Sequence, residues 1–319
     1  VVRPSDHGFV WNIGSEIKGV GNGANFWPYV FRTQPIRWID LPKNELGKGE
    51  YLTDRLNHEA VQFIERNKDK PFFLYLSHYA PHTILNGRPD LVAKYRKKHA
   101  PGKSTRDRCY LCKDSGHKGD ALNHWAGDHN PHLAAMLESI DDGLGLIIAK
   151  LNALGLDENT IIIFTSDNGG ETNVTSNSPL RGGKSQLYEG GIRVPMFVRW
   201  PARVKPGTRI DTPVAHIDLM PTFARAGGAA LPPDLQIDGV DLLGDDPASP
   251  VGKRTDDAIF WQSAYYRVVR QGDWKLQVTE RPRKTWLFNL KDDPTEKRDL
   301  AAANPAKVAE LQALLAKHQ

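Results

Sequence analysis

The stretch that decides the fold runs from Asn159 to Gly170 and reads Asn-Thr-Ile-Ile-Ile-Phe-Thr-Ser-Asp-Asn-Gly-Gly. Its apolar run, Ile161–Phe164, is β-branched and lacks a helical period, which predicts a strand buried on both faces. Asp167 and Asn168 follow at the carboxyl end of this strand, where open α/β sheets bind their ligands. A carboxylate and an amide oxygen are hard ligands that suit Ca²⁺ or Mg²⁺. The alternative is a turn that only ends the strand.

A second stretch favours the binding site over the turn. Arg181 and Lys184 lie in a segment rich in glycine, which includes Gly182, Gly183, Gly190 and Gly191. Glycine lets the backbone approach a ligand closely. Cations beside a metal site suit a strongly anionic group such as sulfate or phosphate. The two stretches together predict a site for an oxyanion and a divalent cation.

These motifs resemble a known family. Ser-Asp-Asn-Gly-Gly at 166–170, Leu-Arg-Gly-Gly-Lys at 180–184 and Tyr-Glu-Gly-Gly-Ile-Arg-Val-Pro at 188–195 resemble the type I sulfatases, the arylsulfatase-like branch of the alkaline phosphatase superfamily. The resemblance runs from His7 to Glu296. It implies an α/β fold, an alkaline-phosphatase-like sandwich with a mostly parallel sheet flanked by helices, plus a small C-terminal antiparallel sheet and helix. It also implies a sulfuric ester hydrolase that acts on sulfated carbohydrate or aryl sulfate.

The resemblance assigns roles to matching residues. Asp167 and Asn168 correspond to two ligands of a Ca²⁺ ion, with Mg²⁺ as the alternative metal. Lys184 corresponds to the lysine that contacts the sulfate and its bridging oxygen. His82 corresponds to the histidine that holds the sulfate and assists the leaving group. Arg181 is a further candidate for contacting the anion.

Two more histidines are candidate substrate contacts. His78 competes with His82, because both follow a predicted strand, Phe72–Ser77. That strand would place them on the same rim of the sheet as Asp167. His216 lies in a segment that resembles a helix start of the same family. A structural hydrogen bond is the alternative role of His216.

The nucleophile that the family uses is absent from this sequence. It is a formylglycine made within a Cys/Ser-x-Pro-x-Arg motif, and the resemblance places it in an N-terminal segment. Cys109 and Cys112 lack the required Pro and Arg, and Ser178-Pro-Leu-Arg has the wrong spacing. The early Asp-Asp pair that completes the metal shell is also absent. We therefore expect either a C-terminal portion of a longer protein, which a start at Val1 favours, or a protein without activity. We expect no turnover from this chain alone.

The composition of the sequence argues against a membrane-spanning protein and against a nucleic-acid-binding protein. The 319 residues are 39% hydrophobic and 25% charged, with a net charge of +4, as in an ordinary globular protein. No apolar run approaches the roughly 20 residues of a membrane span, and the start lacks the apolar core of a signal peptide. The absence of repeats and of a long basic run excludes nucleic acid as a partner. A periplasmic or extracellular location is implied by the family only, and the oligomeric state is not predicted.

Cys109 and Cys112 lie in a long polar segment, residues 100 to 130, which we interpret as a specificity loop. A disulfide, two free thiols, or a zinc site with His117 and His124 are the alternatives for these cysteines.

Hydrophobic periodicity predicts the other elements. Helices are predicted at residues 51–67, from Pro89, at residues 131–154 and from Pro305. Short β-type runs are predicted at 192–200, 258–262, 265–270, 274–278 and 286–290. A change in composition near Gly244 predicts a sulfatase-like α/β domain at residues 1–246 and a C-terminal α+β subdomain at 247–319.

Two other functions remain open on the sequence. A phosphodiesterase or phosphonate hydrolase of the same superfamily would bind a similar anion. A non-catalytic module for sulfated sugars would use the same fold without the nucleophile.

Overall fold

The computed structural model describes residues 4–14, 25–29, 41, 43–82, 85–98, 130–244 and 251–318. The helices α1–α6 are Leu52–Arg66, Pro89–Lys98, Pro131–Ala153, Glu189–Ile192, Leu219–Ala226 and Pro305–Lys317. The strands β1–β6 are Ile162–Thr165, Met196–Arg199, Ala258–Ser263, Tyr266–Gln271, Trp274–Glu280 and Arg283–Asn289. Short 3-10 helices are Pro4–His7, His216–Asp218 and Thr255–Asp257.

The chain forms two compact units. The first comprises Val1–Phe164, Glu171–Ser176 and Phe197–Pro206, and the second comprises Thr165–Gly170, Asn177–Met196 and Gly207–Gln319. Asp167, Asn168, Arg181, Lys184 and His216 therefore belong to the second unit, whereas His78 and His82 belong to the first. The predicted domain boundary after residue 246 lies outside the described residues, as do Cys109 and Cys112.

Helices α1 and α3 form the core of the first unit. Ala60 and Ile64 of α1 pack with Ile147 and Leu151 of α3, on the apolar faces that the periodicity predicts. Both predicted helices are confirmed to within two residues at each end. Gly143 lets the helices approach closely, since a Cβ atom there would lie 2.0 Å from Cγ of Asn57. The amide of Asn57 then donates a hydrogen bond to the carbonyl of Ser139 at 2.9 Å.

The ends of α3 follow local rules. The side-chain oxygen of Asn130 accepts hydrogen bonds from the backbone N–H groups of His132 and Leu133, at 3.1 and 3.2 Å. Gly155, just after the helix, has a φ of +65°, which glycine adopts readily. In the described part of the chain, no helix has the length and apolar composition needed to cross a membrane.

The predicted strand Phe72–Ser77 is wrong as a paired strand, because no ladder among the described residues includes it. Its side chains still alternate: Phe72 and Leu74 pack in the core of the first unit, while Phe73 and Tyr75 are exposed. An alternating pattern indicates which side chains are buried, whereas a β-strand also needs a neighbouring strand to which its backbone is hydrogen-bonded. The predicted parallel sheet is likewise not seen in the described ranges, where β1 pairs only with β2.

The predicted strand at residues 192–200 begins later than expected, at Met196. The preceding residues Glu189–Ile192 form the short helix α4, so Gly190 and Gly191 of the glycine-rich segment belong to a helical turn. The hydroxyl of Thr165 donates to the carbonyl of Pro195 at 3.1 Å, which joins the end of β1 to the start of β2.

The C-terminal part of the second unit confirms the predicted antiparallel sheet and terminal helix. Its strands pair antiparallel in the order β3-β4-β5-β6. Leu276 and Leu287 of the sheet pack against Leu311 and Leu315 of α6. Burial of each such leucine contributes about 1.5–3 kcal/mol, so this apolar face holds the helix to the sheet.

Candidate active site

The loop after β1 carries the predicted metal ligands. Asp167 is exposed and Asn168 is half-buried. The hydroxyl of Ser166 donates to the carbonyl of Asn168 at 2.9 Å, which fixes the turn between them. Among the described residues, no group forms a hydrogen bond or an ion pair with the Asp167 carboxylate. That carboxylate is therefore available to a ligand.

Glycines bring three pieces of backbone together beside this loop. The N–H of Gly169 donates to the carbonyl of Gly191 at 2.9 Å. A Cβ atom on Gly169 would lie 1.8 Å from the carbonyl oxygen of Gly190, and one on Gly191 would lie 1.9 Å from that of Gln186. Both approaches are shorter than any side chain allows, so these positions require glycine. The glycines that the sequence associates with a ligand thus serve first to pack the backbone of the site.

Asn177 links the two motifs that the sequence identified separately. Its side-chain amide donates to the carbonyls of Gly170 and Gly182 at 2.8 and 3.2 Å, and its oxygen accepts from the N–H of Gly170 at 2.9 Å. The backbone N–H of Lys184 donates to the same Gly170 carbonyl at 3.1 Å. Lys184 is thereby attached to the loop that carries Asp167 and Asn168.

The side chain of Lys184 is half-buried. In the described ranges, no carboxylate lies within ion-pair distance of its ammonium. A cation that is partly removed from water and has no acidic partner favours the binding of an external anion. The structure therefore brings Asp167, Asn168 and Lys184 onto one hydrogen-bonded backbone cluster in the second unit.

Arg181 is held by the protein more than the sequence predicted. One of its guanidinium nitrogens, Nη1, donates to the carbonyl of Glu296 at 2.8 Å. The guanidinium carbon lies 4.0 Å from the centre of the Tyr188 ring, a cation–π contact. The remaining guanidinium donors leave an anion contact open, and that role stays a prediction.

His216 supports the same loop through a hydrogen bond to its backbone. Its Nε2 lies 2.8 Å from the carbonyl oxygen of Ser166, next to Asp167, and must carry the proton because a carbonyl only accepts. Asp218 fixes this region: its buried carboxylate accepts from the N–H groups of Ala215 and Val240 and pairs with Arg254. The hydrogen bond gives His216 a structural function, and its predicted substrate contact stays a prediction.

The two histidines of the first unit differ in environment. Burial lowers the pKa of His78 to about 4, and its Nδ1 has no hydrogen-bond partner among the described residues. The ring of His78 is therefore neutral at pH 7. The backbone N–H of His82 donates to the carbonyl of Tyr79 at 2.8 Å, which closes a turn over residues 79–82. Because Phe72–Ser77 is not a paired strand, the sequence argument for a rim shared with Asp167 no longer applies.

Asp167 and Asn168 carry the type of ligand atom that Ca²⁺ binds, but two residues do not complete its coordination shell. Asp167 and Asn168 offer hard oxygens, whereas Ca²⁺ takes roughly six to eight oxygen ligands. Within the described residues, no group of at least three His, Cys, Asp or Glu side chains is placed to hold a metal. Further ligands would have to come from water, substrate or other parts of a protein.

Sequence reasoning missed Asn177 and Glu296. Asn177 is one of several polar residues in a loop, and only the folded chain shows that it joins Gly170 to Gly182. Glu296 lies 107 residues from Glu189, whose N–H it accepts. The signal available for Glu296 was its place at the end of the family resemblance.

Comparison with known proteins gives the chain a family. A family profile described as Sulfatase matches residues 6–229, and one described as N-sulphoglucosamine sulphohydrolase, C-terminal, matches residues 183–319. Steryl-sulfatase of Homo sapiens is 38% identical over 254 residues, which cover 76% of this chain and 37% of that protein. A protein named Sulfatase from Formosa agariphila is 32% identical over 300 residues, covering 86% of this chain and 50% of that protein.

A solved structure has a similar fold. It is the crystal structure of Ps i-CgsB in complex with k-i-k-neocarrahexaose, with a TM-score of 0.70 and 30% identity. The match covers 86% of this chain and 56% of that one. The chain thus spans about half the length or less of these relatives. By the extent of the profile match and by these identities, the chain belongs to the sulfatase family.

Proposed function

We propose that this chain supplies the sulfate-binding part of a sulfatase that hydrolyses sulfate esters. The observation that carries the proposal is the half-buried ammonium of Lys184, which has no acidic partner in the described structure. It is fixed through its backbone to the loop of Asp167, whose carboxylate is equally unpaired. An unpaired cation and an unpaired metal donor on one rigid loop cluster suit an oxyanion held beside a divalent ion.

The chemistry explains why such groups are needed. Cleavage of a sulfate ester develops charge on the sulfuryl oxygens and on the departing oxygen, and fixed cations stabilise that charge. Lys184 would contact the sulfate and its bridging oxygen. His82 would protonate the departing oxygen. His78 is the alternative to His82, but a ring with a pKa of about 4 stays neutral at pH 7 and supplies no cation.

The metal role is proposed on the same basis. Asp167 and Asn168 would hold Ca²⁺, with Mg²⁺ as the alternative. A bound Ca²⁺ would supply positive charge to the sulfuryl oxygens. The glycine contacts that fix Gly169 hold the backbone directly after the two donors, which lowers the entropic cost of holding the ion.

The nucleophile must come from outside this sequence. No Cys/Ser-x-Pro-x-Arg motif is present in the 319 residues. The relatives named above are about twice as long as the matched region or longer, which supports an additional segment carrying the motif. The complete protein would be located in the periplasm or outside the cell.

For the substrate, we propose a sulfated carbohydrate. The support is the similarity to Ps i-CgsB, whose structure holds k-i-k-neocarrahexaose. The similarity to steryl-sulfatase supports an aryl or steryl sulfate as the alternative. Comparing hydrolysis of a sulfated oligosaccharide with that of an aryl sulfate separates these two classes.

The proposal is tested on the polypeptide that joins this chain to a Cys/Ser-x-Pro-x-Arg segment. We expect Ca²⁺-dependent hydrolysis of an aryl sulfate, with kcat/KM reduced about 10²–10³-fold by Lys184→Ala. Lys291→Ala, at an exposed lysine of the same unit, is the control and should leave kcat/KM unchanged. A preference for an aryl phosphate would favour the phosphodiesterase. Binding of sulfated sugar without hydrolysis would favour the non-catalytic module.

A further inference from the structure

The antiparallel sheet of the second unit has a buried charge on the face opposite α6. Leu276 of β5 faces α6, and the preceding residue, Lys275, faces the other side because side chains alternate along a strand. Lys275 is 0% exposed. Its ammonium donates to Oε1 of Glu189 at 2.9 Å and lies 2.8 Å from Oε1 of Glu296. We call these three residues the buried triad.

Glu296 contacts both ends of the segment that carries Lys184. Its Oε2 accepts the backbone N–H of Glu189 at 2.6 Å. Its carbonyl accepts Nη1 of Arg181 at 2.8 Å. The two ends are also joined to each other, since the N–H of Gly190 donates to the carbonyl of Arg181 at 2.8 Å. Residues 181–190 thus form a closed loop held from outside by one glutamate.

The turn that presents Glu296 is fixed without help from that loop. The carboxylate of Asp293 accepts the hydroxyl of Thr295 at 2.9 Å and the N–H of Arg298 at 2.8 Å. The N–H of Glu296 donates to the carbonyl of Asp293 at 3.1 Å, and Glu296 itself has a φ of +54°. A glutamate kept in the left-handed region is held there by its surroundings. The sheet and this turn are therefore a rigid base for the loop.

The charges of the buried triad are not fully balanced. One ammonium faces two carboxylates, and Arg270 approaches Glu189 only to 3.9 Å. Burial raises the pKa of Glu296, against the opposing effect of Lys275. In the described part of the chain, Oε1 of Glu296 makes the ion contact without a hydrogen bond in suitable geometry. Removing the charge of any member would therefore change the forces on the other two.

We propose that Glu296 and Lys275 are positioning residues, which through Glu189 and Arg181 hold the loop so that the Lys184 ammonium meets the sulfate. The inference rests on the proposed function of Lys184. It assigns the C-terminal sheet a specific part in anion binding, beyond stabilising its own subdomain.

The test compares Glu296→Gln with Asp299→Asn in the 319-residue chain. Oδ1 of Asp299 accepts the N–H groups of Leu287 and Ala301, and in the described structure this carboxylate makes no hydrogen bond to residues 181–190, so Asp299→Asn removes a charge at the same sheet without removing a hydrogen bond to the loop. Titration with sodium sulfate in a calorimeter gives the affinity, and chemical denaturation gives the stability. We expect Glu296→Gln to weaken sulfate binding about tenfold or more, and Asp299→Asn to leave it unchanged at a similar loss of stability. Equal affinity of the wild-type chain and Glu296→Gln would overturn the proposal.

Hydrogen exchange tests the inference even when sulfate does not bind. We expect Glu296→Gln to speed exchange of the Lys184 and Gly190 amides, which donate within the loop cluster, while the amides of the β4–β5 ladder keep their rates. Unchanged rates at Lys184 and Gly190, or equal acceleration throughout the sheet, would overturn it. A wild-type chain without sulfate affinity would refute the proposed function instead, and these rates would still decide the role of Glu296.

Discussion

Lys275 and Lys184 lie in the same unit in opposite electrostatic surroundings. Lys275 is fully buried between the carboxylates of Glu189 and Glu296. Lys184 is half-buried, and the described structure places no carboxylate beside it. We call Lys275 the matched lysine and Lys184 the unmatched lysine, because only Lys275 has carboxylate partners in the described structure. A buried charge needs such a partner, so the matched lysine is part of the folded core. The unmatched lysine is tolerated because it keeps some access to water, and the same exposure lets it receive an anion.

The largest expected effect comes from removing the matched lysine. Lys275→Met leaves two carboxylates in the core, so we expect the free energy of unfolding to fall by about 3–5 kcal/mol in chemical denaturation at pH 8. Lys307→Met is the control, because its pair with Glu310 is at the surface; it should change stability by at most about 0.5 kcal/mol. A loss below about 1 kcal/mol for Lys275→Met would show that the buried triad contributes little to the fold.

His78 extends the comparison to a half-buried group, with a buried Nδ1 atom, whose charged form is disfavoured. Its pKa is lowered by burial from 6.5 to about 4, so between these pH values the unfolded chain binds a proton that the folded chain does not. Stability from this group is present above pH 6.5 and is lost as the pH falls towards 4, by about 3 kcal/mol. Denaturation at stepwise pH should show this loss in the wild-type chain and not in His78→Gln. An identical pH profile for both would contradict the assignment.

A glycine substitution in the loop cluster changes the backbone geometry of the site without changing its charge. Gly169→Ala places a Cβ atom 1.8 Å from the carbonyl of Gly190, so we expect a loss of about 1–3 kcal/mol and weaker sulfate binding. Gly145→Ala, in helix α3, is the control, since among the described residues no atom outside the neighbouring backbone of the helix lies within 4 Å of its Cβ position. The free energy of unfolding of Gly145→Ala should rise by about 0.5–1 kcal/mol. A Gly169→Ala chain with wild-type stability would mean that the close contact relaxes freely.

The sequence predicted those helices and strands whose hydrophobic pattern lies within one continuous segment. The apolar stripe of α3 lies within one segment, so the helix was predicted to within one residue at each end. The strands of the C-terminal sheet were predicted for the same reason. The segment Phe72–Ser77 shows where this fails, because its alternating pattern is present and its partner strand is not among the described residues.

For the candidate site, the sequence predicted residues that lie in local motifs, and their roles stay predictions. Asp167, Asn168 and Lys184 follow from motifs and lie on one cluster in the structure. Asn177 and Glu296 were missed because their function depends on contacts made only in the folded chain. Asn177 bridges two short motifs, and Glu296 acts across 107 residues from Glu189. No single segment carries that information.

The smallest expected effect on stability comes from removing the unmatched lysine. Lys184→Met breaks no ion pair within the described residues, so we expect the free energy of unfolding to change by at most about 0.5 kcal/mol. Chemical denaturation beside Lys275→Met gives the direct contrast. A fall in the free energy of unfolding of about 2 kcal/mol or more, roughly that of a buried ion pair, would show that Lys184 stabilises the fold as Lys275 does.

The most direct measurement is a calorimetric titration of the 319-residue chain with sodium sulfate in the presence of Ca²⁺, repeated with Lys184→Met. The account predicts that the wild-type chain binds one sulfate and that Lys184→Met, folded with unchanged stability, does not. Equal sulfate binding by the two chains would contradict it, because the anion would then be held by something other than the Lys184 ammonium, which pairs with no carboxylate in the described structure.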